Sequence, residues 1–211
     1  MKKFLVPFGG YPVLKIESGT FINDQEYKHL KKMKFKTIKY GLKISENKNI
    51  LTRKPLKRLK NLMWKCFEKY VTEVLEIRNV FSFCQSWCTF QNKGSNHANH
   101  SHHNNIFSGV YYAKTKGTGL NLWLHKSKLQ ESFYLSYPIV KENIFNSRVF
   151  TLNLKEGDIV FFPGDLVHES VESTDDERLI IGASFFIDGK LGSDDESNAI
   201  DIVNHKNKGY F

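Results

Sequence analysis

Apolar side chains recur at Leu56, Leu59, Met63, Phe67, Tyr70 and Val74, three or four positions apart, with lysines and other polar residues between them. That spacing is the stripe of one helix face. It predicts a helix from Pro55 to about Ile77, with proline in the first turn where its missing N–H is tolerated. A shorter helix is predicted in FINDQEYKHLKKMK, where Asn23 stands at the cap and Glu26, three positions later, completes a capping box. Ahead of it, FLVPFGGYPVLKIES reads as one or two strands. After Arg78 the texture changes to short extended runs at 80–91, 106–113, 119–125, 148–154, 158–163 and 178–187, separated by turn residues. Such a succession predicts an antiparallel sandwich or barrel, with the long helix packed on a sheet.

Two segments break the pattern. Between Lys126 and Ser147 the aromatic stretch KSKLQESFYLSYPIVKENIFNS is long for a simple connection, and loops of that size tend to be lids, so it is the candidate substrate cover. From 188 to 211 the chain is polar apart from a weak apolar pulse at Ile200 to Val203, which predicts a tail with one short element at most. No repeat and no inter-domain linker interrupts the rest. The expected organisation is one domain over 1–211: supporting strands and helices in 1–79, a β core in 80–187, and the tail.

Composition agrees with a sheet-rich core. The 211 residues are 40% hydrophobic, with 17 Phe and 9 Tyr, and aromatic side chains suit a pleated, half-buried surface. No apolar run of about 18 residues exists to span a bilayer, and MKKFLVPFGGYPV lacks the pattern of a secretory signal, so a soluble, cytoplasmic chain is expected. On one strand Cys84 and Cys88 would lie about 13 Å apart, too far to bridge, which suits a reducing compartment. The net charge of +9 is concentrated in lysines of the first third. It would attract a polyanion, although lysines lining solvated helix faces are the plainer explanation.

The candidate chemistry is in NHANHSHHNN, residues 96–105. Alternate side chains of an extended segment share a face, so His100 and His102 can converge on one metal ion while His103 points away. A third ligand is available in GDIVFFPGDLVHESV, where His168 follows an apolar strand and a Pro-Gly turn. His97 and His103 read as solvated loop, and His29, His125 and His205 as incidental, although His125 ends a strand that could face the pocket.

From Trp87 to Phe186 these motifs resemble the core of the 2-oxoglutarate/Fe(II)-dependent oxygenases, closest to the small prolyl-hydroxylase-like group. The resemblance implies a mainly β chain with flanking helices (α+β), built on a double-stranded β-helix (jelly-roll, cupin-like) barrel with two N-terminal helices on its sheet. It implies Fe(II) and the co-substrate 2-oxoglutarate, dioxygen as the other reactant, and hydroxylation of a substrate, a peptidyl (prolyl) residue by nearest analogy. Peptides, small molecules and nucleic acids are the substrate classes left open. In the family an H-x-D/E motif, a distal His and an Arg about ten residues later form the site. Here those places are filled by His100-Ser101-His102, His168 and Arg178, the last expected to grip the far carboxylate of 2-oxoglutarate. In SGVYYAK, Tyr112 matches a tyrosine that donates to the same carboxylate. One departure stands out: His102 occupies the place of the carboxylate ligand, and no Asp or Glu occurs between Arg78 and Glu131. The familiar iron set has two His and one carboxylate.

Three other readings compete. GSNHANHSH also fits the opening of a cupin, a metalloprotein on the same barrel that uses no 2-oxoglutarate. A catalytically silent barrel would bind nucleic acid or protein through its lysines. Three histidines and a water would also make a zinc hydrolase site.

Overall fold

Apolar residues on both faces of successive strands require two covers, and the chain supplies them with a second sheet on one side and helices on the other. In the computed structural model, residues 1–8, 10–125, 138–143, 145–192, 197 and 199–202 are described. The strands are β1 (Lys2–Phe8), β2 (Tyr11–Glu17), β3 (Phe35–Thr37), β4 (Lys43–Ser45), β5 (Val80–Gln91), β6 (His97–His100), β7 (Phe107–Lys114), β8 (Thr118–Trp123), β9 (Val149–Leu154), β10 (Asp158–Pro163), β11 (Val167–Ser170), β12 (Arg178–Leu191) and β13 (Ile200–Ile202). The larger sheet runs β1-β2-β10-β7-β12-β5-β4-β3, with β13 paired to the far end of β12, and the smaller runs β6-β11-β8-β9. Neighbouring strands are antiparallel throughout. This is a jelly roll whose two sheets face one another without closing into a hydrogen-bonded barrel.

The period of two sorts side chains between the layers. On β10, Ile159 and Phe161 join the core beneath the helices, while Val160 and Phe162 join the core between the sheets. With both faces covered, DIVFFP reads as a continuous apolar run. Tyr111 and Tyr112 divide the same way: Tyr111 belongs to the helix-side core and Tyr112 to the inter-sheet core. On the helix side, Phe67 stacks on Phe185 with ring centroids 3.8 Å apart and 10° between planes. Truncating such a buried ring costs about 3–5 kcal/mol, so this helix anchors the sheet.

Both predicted helices form. Helix α1 (Asp24–Lys31) carries the capping box: Asn23 Oδ1 accepts from the Glu26 N–H at 2.9 Å, and Glu26 Oε2 accepts from the Asn23 N–H at 2.9 Å. Helix α2 (Lys57–Lys69) buries Leu59, Met63 and Phe67 and widens into a π-turn over Tyr70–Val74, ending short of Ile77. Pro55 lies in a 3₁₀ turn just before it. No helix among the described residues is long and apolar enough to cross a membrane. Cys84 and Cys88 share β5, and none of the three cysteines is in a disulfide. Of the expected substrate cover, 126–137 and 144 lie outside the described residues, as does the chain after 202.

Candidate metal centre and pocket

The centre is assembled by a turn. Strand β10 ends at Pro163, the Leu166 N–H closes the turn on the Pro163 carbonyl at 3.2 Å, and β11 then carries His168 back along the smaller sheet. There His168 is the register partner of His100, the last residue of β6. The same turn fixes His102, whose N–H donates to the Gly164 carbonyl at 2.8 Å, while the Gly164 N–H donates to Ile106. A Cβ at position 164 would lie 1.7 Å from Asn105 Oδ1, so only glycine permits this approach. His102 lies beyond the end of β6, yet its Nε2 comes within 3.2 Å of His100 Nε2. The ligand atoms of His100, His102 and His168 all lie within 4.8 Å of one another.

Each ring is held from behind. Carbonyl oxygens only accept, so Nδ1–H of His100 donates to Ala98 and Nδ1–H of His168 donates to Leu166, each at 2.8 Å. His102 Nδ1 lies 2.6 Å from the Ser108 hydroxyl. Nε2 of His100 and His168 therefore carries a lone pair, as metal binding requires. Burial is the main cause of lowered pKa values at all three, down to about 4 at His102 and well below the usual value at His168, with neighbouring histidines adding to it at both of these. Neutral imidazoles converging through Nε2, with Nδ1 hydrogen-bonded, fit iron(II) and other first-row divalent ions. The chemistry of the donor set, rather than its charge, makes the fit.

Trp87, Thr89, Gln91, Val110, Tyr112 and Leu120 are among the residues lining the pocket beside the triad. Trp87 sits edge-on to His102 at 5.3 Å, and Phe162 packs on His168 at 4.6 Å. Arg178 starts β12 directly beside Gln91 in register and is 1% exposed. It donates to the Thr118 hydroxyl and, at 2.7 Å, to the Val171 carbonyl, but its Nε has no partner and no ion pair is formed among the described residues. Burial lowers its pKa, while Tyr112 and Asp175 oppose that. Tyr112 is 1% exposed, and burial raises its phenol. Arg178 is not itself among the residues lining the pocket, but it is the register partner of Gln91, which is, and a buried guanidinium without an ion pair among the described residues fits a carboxylate.

His97 overturns its expectation. It lies on β6, not in a solvated loop, lines the pocket and stacks on His100 with centroids 3.9 Å apart. Burial, then the charges of His100 and His102, lowers its pKa to about 3. The irregular step in pairing between β6 and β11 breaks the simple alternation that had turned it away. His103 and His125 are exposed and are not among the residues lining the pocket; His29 lines a separate groove, and His205 is outside the described residues. Sequence reasoning also missed Gln91, whose Nε2 donates to Ser170 at 2.9 Å while its buried Oε1 lacks a partner among the described residues. Its signal was parity, since Trp87, Thr89 and Gln91 alternate along one face of β5.

Residues 85–185 match the family described as "Putative 2OG-Fe(II) oxygenase". No curated protein sequence matches the chain. Among solved structures it is similar to a Pseudomonas putida prolyl-4-hydroxylase (11% identity, TM-score 0.52, covering 84% of this chain and 94% of that one). It is also similar to HygX from Streptomyces hygroscopicus, solved with nickel, 2-oxoglutarate and hygromycin B (12%, 0.55, 82% of each). A third is the epimerase SnoN from nogalamycin biosynthesis (10%, 0.57, 88% and 82%). These likenesses are of fold. The segment that matches the 2OG-Fe(II) oxygenase family, residues 85–185, is the one that builds the histidine cluster.

Proposed function

We propose that this chain is an Fe(II)- and 2-oxoglutarate-dependent oxygenase, with iron held by His100, His102 and His168 and 2-oxoglutarate held by Arg178 and Tyr112. The observation that carries this reading is the convergence of the ligand atoms of His100, His102 and His168, all within 4.8 Å of one another, inside the segment that matches the family. When bound, iron and 2-oxoglutarate supply the coupling of co-substrate decarboxylation to hydroxylation of a C–H bond by dioxygen.

The chain's own groups orient and shield. His100, His102 and His168 would hold the ion through three neutral imidazoles, and the remaining ligands would come from the co-substrate and dioxygen. Arg178 presents its guanidinium to the distal carboxylate, and the Tyr112 hydroxyl donates to the same group. Apolar walls from Val110, Leu120 and Ile180 exclude water and so strengthen both contacts. With His102 in place of a carboxylate, the protein ligands bring no negative charge, and the dianionic co-substrate balances the ion. In this reading 80–187 is the catalytic core, 1–79 supports it, and 188–211 is an appendage.

Hydroxylation of a peptidyl residue, proline first, is the substrate assignment favoured by likeness to the prolyl-4-hydroxylase fold. The test is anaerobic titration of the Fe(II)-loaded protein with 2-oxoglutarate. A weak visible metal-to-ligand charge-transfer band is expected, and its absence from folded, iron-loaded protein would overturn the assignment.

A further inference from the structure

The net charge is not spread over the molecule. From Lys28 to Lys48 there are eight lysines and a single acid, Glu46, so these 21 residues carry +7 of the chain's +9. They form the end of α1 and the β3–β4 hairpin, one edge of the larger sheet. Lys28, Lys32, Lys34, Lys36 and Lys39 are exposed and form no ion pair among the described residues, whereas Lys31 is paired to Glu177 at 3.1 Å. Lys34 and Lys36, two residues apart in extended chain, project to one side about 7 Å apart.

Three further features shape this edge. His29, Lys32, Lys34 and Arg53 line a groove, with Glu46 and Asn47 at its side, and His29 Nε2 is shut from solvent there without a partner among the described residues. Tyr40, at the hairpin tip, is 62% exposed. Its φ of 58° is left-handed, a conformation costly for a bulky side chain, and it holds the ring outward beside Lys39. The tip also abuts the strand that begins the histidine tract: a Cβ at Gly41 would lie 3.5 Å from that of Ser95, two residues before His97. One strand inward, β4 pairs with β5 at Thr89, which lines the pocket.

We propose that the β3–β4 edge is a binding surface for single-stranded nucleic acid. Unpaired lysines along an edge neutralise successive phosphates, and the groove around His29 offers a seat for one of them. The exposed Tyr40 ring supplies a flat face on which an unpaired base stacks, a contact that an acidic peptide does not use. A duplex hides its base faces, so single strands are favoured over double.

The test is fluorescence anisotropy of a labelled oligothymidylate against the full chain over a salt series, with a duplex and poly-glutamate as competitors. Wild-type protein should bind the single strand with steep salt dependence. Replacing Lys32, Lys34 and Lys36 together by glutamine should lower the slope of log affinity against log salt by about 2, at about 0.7 per phosphate contact. Tyr40→Ala should weaken binding about tenfold with the slope unchanged. Charge-matched replacement of Lys65, Lys116 and Lys141, with circular dichroism confirming both folds, should leave affinity unchanged. The proposal is overturned if wild-type protein does not bind at low salt, if both triple variants lose affinity equally, or if poly-glutamate competes as well as the oligonucleotide. Binding is read without iron or 2-oxoglutarate, so failure here is separate from failure of the oxygenase assignment.

Discussion

The Ser108 hydroxyl lies 2.6 Å from Nδ1 of His102, and it also accepts from Asn105 Nδ2 at 2.8 Å. A hydroxyl accepts twice and donates once, so Nδ1–H of His102 fits as its second donor, leaving Nε2 free for a metal. Ser108 thus does for His102 what backbone carbonyls do for His100 and His168. Ser108→Ala should lower iron affinity about 10–100-fold, measured by competition with a chelator. Wild-type affinity in this variant would mean that the tautomer is set elsewhere.

Restoring a carboxylate tests the charge argument. His102→Asp supplies the negative charge that the three histidines lack, so Fe(II) should bind more tightly without 2-oxoglutarate, by about tenfold for each 1.4 kcal/mol gained. The gain in iron affinity on adding 2-oxoglutarate should shrink, and by reciprocity so should the gain in 2-oxoglutarate affinity on adding iron. Titrations with and without co-substrate measure both. Unchanged coupling would show that charge balance is not what the co-substrate contributes.

Arg178→Lys keeps the cation but loses the planar fork and Nε. 2-Oxoglutarate should bind at least about tenfold more weakly in isothermal titration, with the iron content of the purified protein unchanged. Loss of metal in this variant would show that its role has been misplaced.

Acid should destabilise the metal-free protein. His97, with a folded pKa of about 3, and His102, of about 4, are matched in direction by His100 and His168, and burial is the main cause in each. Above the unfolded value near 6.5 all are neutral in both states, and nothing is lost. Below it the unfolded chain takes up protons that the folded chain refuses, so stability falls as pH drops toward the folded values. At one unit below 6.5, His97 and His102, whose folded values lie lower still, each remove about 1.4 kcal/mol. Denaturant midpoints at pH 7.5 and 5.5 should show the fall, and His97→Gln should reduce it. A midpoint constant across this range would contradict the burial of these rings.

Gly182 makes room for the pocket wall. A Cβ there would meet Cε2 and Cζ2 of the Trp87 indole at 2.5 Å, and Trp87 in turn borders His102. Gly182→Ala should destabilise by about 1–3 kcal/mol as the indole is displaced. Thermal melts and iron binding should both report it, whereas Gly10→Ala, whose Cβ would meet no described atom within 4 Å but whose φ of 83° strains the backbone, should leave iron binding intact.

Much of this molecule was legible in its order of residues. The stripe from Leu56 to Val74 and the Asn23–Glu26 box specify helices through contacts within a few residues, and both form. The six extended runs became β5, β7, β8, β9, β10 and β12, because alternation and turn residues are likewise local signals. The H-x-H pair and His168 were legible as candidate metal ligands by residue type, and Arg178 and Tyr112 as candidate co-substrate contacts by family resemblance. Less was visible where strands are short: β3, β4, β6 and β11 have three or four residues each, too few to show a period.

Tertiary structure alone decided the rest. His97 was misread because its direction depends on the irregular pairing of β6 with β11, a contact between residues about seventy positions apart. Gln91 stands beside Arg178 only through β5–β12 register. Ser108 serves His102, and Gly164 admits Asn105, only because a turn following one strand folds against the start of another. In regular strands local periodicity fixes which face a side chain takes, whereas irregular pairing and the choice of neighbour follow from burying both sheets at once, and that balance is struck over the whole chain.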